Sequence, residues 1–264
     1  MQGRVLIIAG SDPSGGAGIQ ADIKTVTALG GYAATAITAI TVQNTRGVTA
    51  VHPVAGDVVL AQINAVMSDI GADVIKIGMI GDVETAESII AALRAHPDIP
   101  VVLDPVLVAT SGDALAKDGV AAVIKEKLTP LSTVITPNTE EAAALTGIAV
   151  IDRDTQITAG EALVATGAGA AVVKGGHLQG DTVEDALITP GGVRIFSNPH
   201  IETTSTHGTG CTLASAIATG LAQEMALQSA VKRAIDYVQI AIKTAPGYGA
   251  GCGPLNHGHR VKID

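Results

Sequence analysis

Aromatic residues are almost missing: there is no tryptophan, one phenylalanine and three tyrosines in 264 residues. No stacking platform for single-stranded nucleic acid can be built from so few rings, and the core must consist of Ala, Val, Ile and Leu. Only two cysteines occur, Cys211 and Cys252, too few for a disulfide framework, so a reducing cytoplasm is the simpler compartment. Charge is scarce at 16%, against 47% hydrophobic residues, which excludes a disordered or coiled-coil chain. The 16 Lys and Arg are scattered and the net charge is −9, so the clustered cations that grip a nucleic-acid backbone are lacking. The start, MQGRVLIIAG, has no charged lead, long apolar region or cleavage site and reads as a buried strand. Residues 25–45 and 203–223 carry no Asp, Glu, Lys or Arg and reach membrane-spanning length. They are rich in Gly and Thr and lack aromatic belts, so they read as buried segments of a soluble protein with no membrane partner.

What is present is alternation. Short β-branched runs at 5–9, 35–42, 74–77, 100–104, 133–136 and 170–174 read as strands. Ala-rich amphipathic runs at 18–29, 57–69, 83–96, 115–128 and 158–166 read as helices, and 211–223 and 227–244 close the chain as two more. The strands are apolar throughout, as when helices cover both faces of a parallel sheet. Strand–helix alternation at this spacing predicts right-handed crossovers. Residues 186–189 and 193–197, joined by Pro190-Gly191-Gly192, read as an edge hairpin. No linker or repeat divides the chain. The expectation is a single α/β domain over residues 1–264: a doubly wound, mostly parallel sheet with helices on both faces and a small edge hairpin.

In such a sheet, ligands bind beyond the carboxyl ends of the strands. The segment from Gly10 to Gly18, GSDPSGGAG, follows the first strand and opens a helix. Gly16-Ala17-Gly18-Ile19-Gln20-Ala21 fits a loose dinucleotide pattern. The acid that should follow about 20 residues later is missing, because no Asp or Glu lies between Ile23 and Gly56. No Gly-Lys dipeptide occurs, so a Walker-type nucleotide loop is excluded. A tight turn that merely lets helix and sheet approach is the bland reading. Against it, Asp22 with Gly10 and Asp12 could face a small polar ligand.

Thr206-His207-Gly208-Thr209-Gly210-Cys211 precedes a small-residue helix. Glycines leave N–H groups free to converge, and a helix N-terminus adds positive potential, which together make an anion site. Cys211 in the first turn is expected to have a lowered pKa and to serve as a base. A small buried core cysteine is the alternative. Cys252, in GYGAGCGP, is left as structural. In Thr136-Pro137-Asn138-Thr139-Glu140-Glu141, Asn138 and Glu141 share a helix face and suit a hard cation with its water shell. Helix capping alone would also explain them. Asp104 could reach the same space, and Lys174, before Gly175-Gly176, offers a cation for a phosphate.

Together these parts resemble the ribokinase-like superfamily of ATP-dependent kinases. Within it, IAGSDPSGGAGIQADIKT, VVLDPVLVATSGDAL, VITPNTEEAAAL, VVKGGHL and STHGTGCTLASAIA are similar to the hydroxymethylpyrimidine/phosphomethylpyrimidine kinase family of thiamine synthesis, and the similarity runs along essentially the whole chain. It implies transfer of the γ-phosphoryl group of Mg-ATP to a pyrimidine alcohol and then to the resulting monophosphate. It implies that Gln43 bonds the pyrimidine, with Asp22, Gly10, Met79 and Val106 as other pocket positions. It implies that Cys211 replaces the usual aspartate base and that the turn with Gly208, Thr209 and Gly210 is the anion hole. Asn138, Glu141 and Asp104 fall at the magnesium and phosphate positions, and Lys174, Asn138 and Thr209 on the nucleotide side. A cytoplasmic homodimer is implied as well, while dependence on K+ stays open. The nearest alternative is a pyridoxal or pyridoxine kinase, a group in which some relatives that act on pyridoxal carry a Cys after the D-P-V motif; Val108-Ala109-Thr110-Ser111-Gly112 has none.

Overall fold

A computed structural model describes residues 2–108, 112–113, 115–176, 178 and 180–261. The strands are β1 (Arg4–Ser11), β2 (Tyr32–Asn44), β3 (Gly47–Pro53), β4 (Val74–Ile77), β5 (Val101–Leu103), β6 (Val134–Ile135), β7 (Ala171–Val173), β8 (Thr182–Thr189) and β9 (Gly192–Pro199). The helices are α1 (Gly18–Ala28), α2 (Gly56–Asp69), α3 (Val83–Ala95), α4 (Val120–Val123), α5 (Thr139–Thr146), α6 (Arg153–Ala165), α7 (Thr209–Ala222) and α8 (Leu227–Lys243). They build one nine-stranded sheet in the order β3-β2-β1-β4-β5-β6-β7-β8-β9. Strands β2, β1, β4, β5, β6 and β7 pair in parallel, while β3 at one edge and β8–β9 at the other are antiparallel.

Side chains alternate across β1, so it feeds two cores. Leu6 and Ile8 pack with Ile75, Ile77 and the inner faces of α2, α3, α5 and α6. Val5, Ile7 and Ala9 pack with Val74 and Val102 against α1, α7 and α8. Burial on both faces explains the unbroken apolar strands. Helix α7 lies deep: Ala214, Ala216, Ile217 and Ala218 are fully buried, and its many small residues admit so close a helix.

Three sequence expectations change. The helix expected over 115–128 is regular only from Val120 to Val123. The N–H groups of Leu115 and Ala116 turn to Leu107 O and that of Lys117 to Gly81 O, and Gly119 sits at φ 86°. Downstream the chain widens over Ile124–Leu128 and tightens over Thr129–Leu131. The helix expected over 158–166 begins earlier, at Arg153, because Asp152 and Thr155 form a reciprocal cap. The second antiparallel edge, β3, was not expected. Of the two long segments without charged residues, the first forms the end of α1 with β2, and the second the glycine turn with α7. No helix among the described residues is long and apolar enough to cross a membrane.

Close packing around α7 predicts that Ala218→Leu lowers stability by about 1–3 kcal/mol, measured as a reduced urea midpoint at unchanged slope.

Candidate active site

The chain order reverses between β1 and β4, the point where an open parallel sheet leaves a crevice. A cavity of 710 Å³ lies there, against the carboxyl ends of β1, β4, β5, β6 and β7. Two pairing irregularities shape its wall, one between Ala9 and Ser11 and one between Val42 and Gln43. Such bulges re-aim local groups, and here they fall at Gly10 and Gln43.

One end of the cavity suits a flat polar ring. Thr41 Oγ1 shares its one hydrogen between Ser11 O at 2.9 Å and Gln43 Oε1 at 3.2 Å. The Gln43 amide is thereby fixed beside the β1 carboxyl end with its nitrogen still available to donate. Met79 is 7% exposed, and its sulfur covers Gly10 so closely that a Cβ there would lie 2.9 Å away. Val106 adds an apolar wall. Gly10, Gln43, Met79 and Val106 therefore stand together as expected.

Asp22 does not join them. It is fully buried behind the cavity wall, with Lys76 Nζ at 2.9 Å and Ser215 Oγ at 2.6 Å. Burial by itself would depress Lys76, but the carboxylate of Asp22, together with Cys211 and Asp104, raises it above the usual lysine value. Asp22 is the counter-ion of a buried lysine, and a lysine inside the apolar strand VIKI is the sequence mark of such a pair.

The other end of the cavity is charged. Lys174 Nζ lies 3.2 Å from Asp104 Oδ1 and 3.7 Å from Glu141 Oε2. Burial opposes its charge, yet Asp104 and Glu141 hold the lysine above its ordinary value. Thr136 Oγ1 also donates to Asp104, at 3.2 Å. Burial, with Asp104 nearby, pushes Glu141 up to about 7 against the pull of Lys174. The Asn138–Glu141 pair forms a reciprocal helix cap: Glu141 N–H donates to Asn138 Oδ1 and Asn138 N–H to Glu141 Oε2, both at 2.8 Å. The capping explanation of their spacing thus holds. Asp185, which the sequence did not single out, also reaches this wall, accepts from Gly175 N–H at 2.9 Å, and is pushed upward by burial.

Helix α7 points its N-terminus at this charged end. Gly208 caps it at φ 82° with no side-chain cap. The N–H groups of Gly210 and Cys211 have no carbonyl partner within the helix, as in any first turn. A Cβ on Gly210 would lie 3.0 Å from Lys174 Nζ and 3.6 Å from Asp104 Oδ2, so glycine keeps that end open. Gly208, Thr209, Gly210 and Cys211 all line the cavity. The expected lowering of the Cys211 pKa is overturned. Burial pushes the thiol up to about 12, Asp22 and Asp104 reinforce this, and Lys76 with the Gly18 N–H only partly offsets it. Cys252, expected to be structural, also reaches the cavity wall. Val238, Gln239 and Ile242 of α8 line it too, with no sequence signal beyond the apolar periodicity of a core helix.

Two measurements follow from this geometry. Asp22→Ala strands the Lys76 charge and lowers stability by about 3–5 kcal/mol in urea unfolding, whereas Asp22→Ala with Lys76→Met recovers most of it. A loss below about 1 kcal/mol would mean that water reaches the pair. In a Cys252→Ser background, alkylation of Cys211 by iodoacetamide keeps rising with pH beyond 10. With a thiol at about 12, only roughly one molecule in ten thousand carries the thiolate at pH 8; a plateau near pH 8 would contradict the raised value.

Comparison with known proteins places the chain in a family. Residues 12–256 match the phosphomethylpyrimidine kinase family. A hydroxymethylpyrimidine/phosphomethylpyrimidine kinase of Rhizobium meliloti is 48% identical over 258 residues, covering 97% of each chain. A thiamine biosynthesis bifunctional protein of Geobacter sulfurreducens is 48% identical over 97% of this chain, which spans only 52% of that protein's length. Among solved structures, an ADP complex of Bacillus subtilis pyridoxal kinase superposes with a TM-score of 0.90 at 33% identity, covering 97% of this chain and 98% of that one. With a cavity that pairs an amide-lined ring pocket with a lysine and a helix N-terminus, and with this extent of similarity, the chain belongs to the phosphomethylpyrimidine kinase family.

Proposed function

We propose that the protein phosphorylates 4-amino-5-hydroxymethyl-2-methylpyrimidine with ATP, first to the monophosphate and then to the diphosphate, as a step of thiamine synthesis. The carrying observation is that one cavity joins Gln43 and Met79 at one end to Lys174, Asp104 and the α7 N-terminus at the other. Gln43 pairs with a ring nitrogen and the exocyclic amine. The hydroxymethyl group then points toward residues 208–211. Its oxygen attacks the γ-phosphorus, the bond to the β-phosphate oxygen breaks, and ADP leaves. Lys174 and the N–H groups of Gly210 and Cys211 meet the charge on the transferred group.

The hydroxyl proton must leave during the first transfer. In a loose transition state it is held until bonding to phosphorus is well advanced. Cys211 is a thiol at rest, so it takes the alcohol proton only as it passes its own to an oxygen of the transferred phosphoryl group or to water, and Lys76 and Lys174 are the cations that face it. The second transfer goes to a phosphate oxygen and needs no such acceptor. Mg2+ is the divalent ion of this reading. Asp104 and Glu141, two carboxylates beside a lysine, fit an ion carried in on phosphates better than a full protein cage, and the described residues hold no cluster of three or more His, Cys, Asp or Glu suited to a metal. Such an ion would neutralise charge on the phosphate oxygens.

Pyridoxal is the second acceptor to test, given the similarity to a pyridoxal kinase. The segment 108–112 that lacks a Cys bears on it, but residues 109–111 lie outside the described residues. A homodimer fits the half-exposed apolar face of β2, where Ile40 is 53% and Val42 49% exposed.

ADP release measured with the pyrimidine alcohol and with pyridoxal decides between the acceptors: the alcohol should be turned over at least tenfold more efficiently, and the reverse order would replace this proposal. Cys211→Ala should slow the first phosphorylation far more than the second, with each product quantified separately. Equal losses would reduce the residue to part of the anion site.

A further inference from the structure

A buried carboxylate and a buried imidazole lie between the two glycine segments, and the transfer as described uses neither. Asp12 is 2% exposed and His207 4%. Asp12 Oδ2 lies 2.8 Å from His207 Nε2. The same carboxylate accepts from Ser14 N–H at 2.8 Å, Ser14 Oγ at 2.9 Å and Ala17 N–H at 2.8 Å. Burial would raise Asp12, but the bonds from His207, Ser14 and Ala17 hold it below the ordinary carboxylate value. An ionised carboxylate only accepts, so Nε2 carries the hydrogen.

The bonds continue in both directions. Asp12 N–H donates to Gln20 Oε1 at 2.9 Å, and Gln20 Nε2 donates to Ser11 Oγ at 2.8 Å, at the ring end of the cavity. His207 N–H donates to Gly253 O at 3.0 Å, and its ring covers Gly16 so tightly that a Cβ there would lie 2.3 Å from ring Cδ2. Elsewhere the two segments meet as close backbone, where a Cβ on Gly208 would come within 1.9 Å of Gly16 O, and through the Gly18 N–H beside the Cys211 sulfur. Backbone contact of this kind sets how closely the segments approach but carries no direction of its own. A charge-assisted hydrogen bond fixes the direction.

We infer that the Asp12–His207 pair holds the loop that receives the pyrimidine in register with the turn that receives the phosphoryl group, so that the acceptor oxygen and phosphorus meet at attack distance. His207 is then a positioning residue. The inference rests on the proposed function for its kinetic consequence, and on structure alone for its consequence for the loop.

The test compares His207→Leu, which removes the donor, with His207→Gln, whose Nε2 can replace it. His207→Leu should lower kcat about 10- to 100-fold, while calorimetric binding of the pyrimidine alcohol alone and of ATP alone stays within about threefold of wild type. His207→Gln should restore most of kcat. Hydrogen exchange of the amides of residues 12–18 should quicken in His207→Leu and return toward wild type in His207→Gln, whatever the acceptor. Should His207→Leu fail to fold, His207→Asn, too short to reach Asp12, takes its place with the same expectations. The inference is overturned if the donor-lacking variant keeps wild-type kcat and exchange, or if His207→Gln is as impaired as that variant. Wild-type protein that releases no ADP with the pyrimidine alcohol would overturn the proposed function instead, and the exchange comparison would still decide the pairing.

Discussion

The close approach of two glycine-rich segments sets the geometry of everything around the cavity. Gly208 meets Gly16 O, and Gly18 meets Gly10 O, at distances no side chain would allow. Because nothing protrudes, the N-termini of α1 and α7 converge at the switch point of the sheet, and Cys211 comes within reach of the Gly18 N–H. That convergence in turn needs α7 to lie deep, which its buried Ala and Ser residues permit. The small-residue composition of 203–223 therefore serves packing and chemistry together: the same lack of bulk that buries the helix exposes its N-terminus to a ligand.

Beneath the cavity floor the charges are arranged in pairs. Lys76 and Asp22 close on each other in full burial, and Ser215, one turn beyond Cys211, completes the set from α7. A buried pair of this kind adds little net stability compared with apolar packing. What it does here is tie β4, α1 and α7 together directly below the reactive turn. Lys174, Asp104 and Glu141 repeat the arrangement at the cavity surface, where the lysine stays partly open to an incoming phosphate.

The legible part of this protein is the part written in local pattern. Apolar strand runs, Ala-rich helices and the Pro190-Gly191-Gly192 turn gave the sheet and its edge hairpin, and glycines at strand ends gave the location of the crevice. Residues 43, 79, 104, 106, 174 and 208–211 do meet in one cavity. The misreadings concern partners distant in sequence. Asp22 looked available until Lys76, 54 residues away, claimed it. His207 lies within the glycine turn at 206–211, but its partner Asp12 is 195 residues away. The helix at 115–128 failed for a similar reason: its first N–H groups bond to the loop at Leu107 and Gly81, which no periodicity can reveal. The lowered thiol expected of Cys211 came from the helix terminus alone, whereas its proton affinity is set by burial and by two carboxylates on other elements.

That last reversal also gives a reason for sulfur at position 211. Asp22, Asp104 and Glu141 already face Lys76 and Lys174 within this cluster. Glu141 is already pushed up to about 7, first by burial and then by Asp104, against the pull of Lys174. A carboxylate at 211 would add a fourth acid at the point where a triphosphate must arrive, and like charges in a poorly solvated cleft raise one another's proton affinity and repel the ligand. A thiol at about 12 is neutral when the nucleotide enters and leaves the field of the α7 N-terminus and Lys174 uncancelled. The cost falls on the later step, where a thiol gives up its proton less readily than a carboxylic acid. That cost is tolerable in a transfer whose barrier depends on charge and alignment at phosphorus more than on early deprotonation of the alcohol.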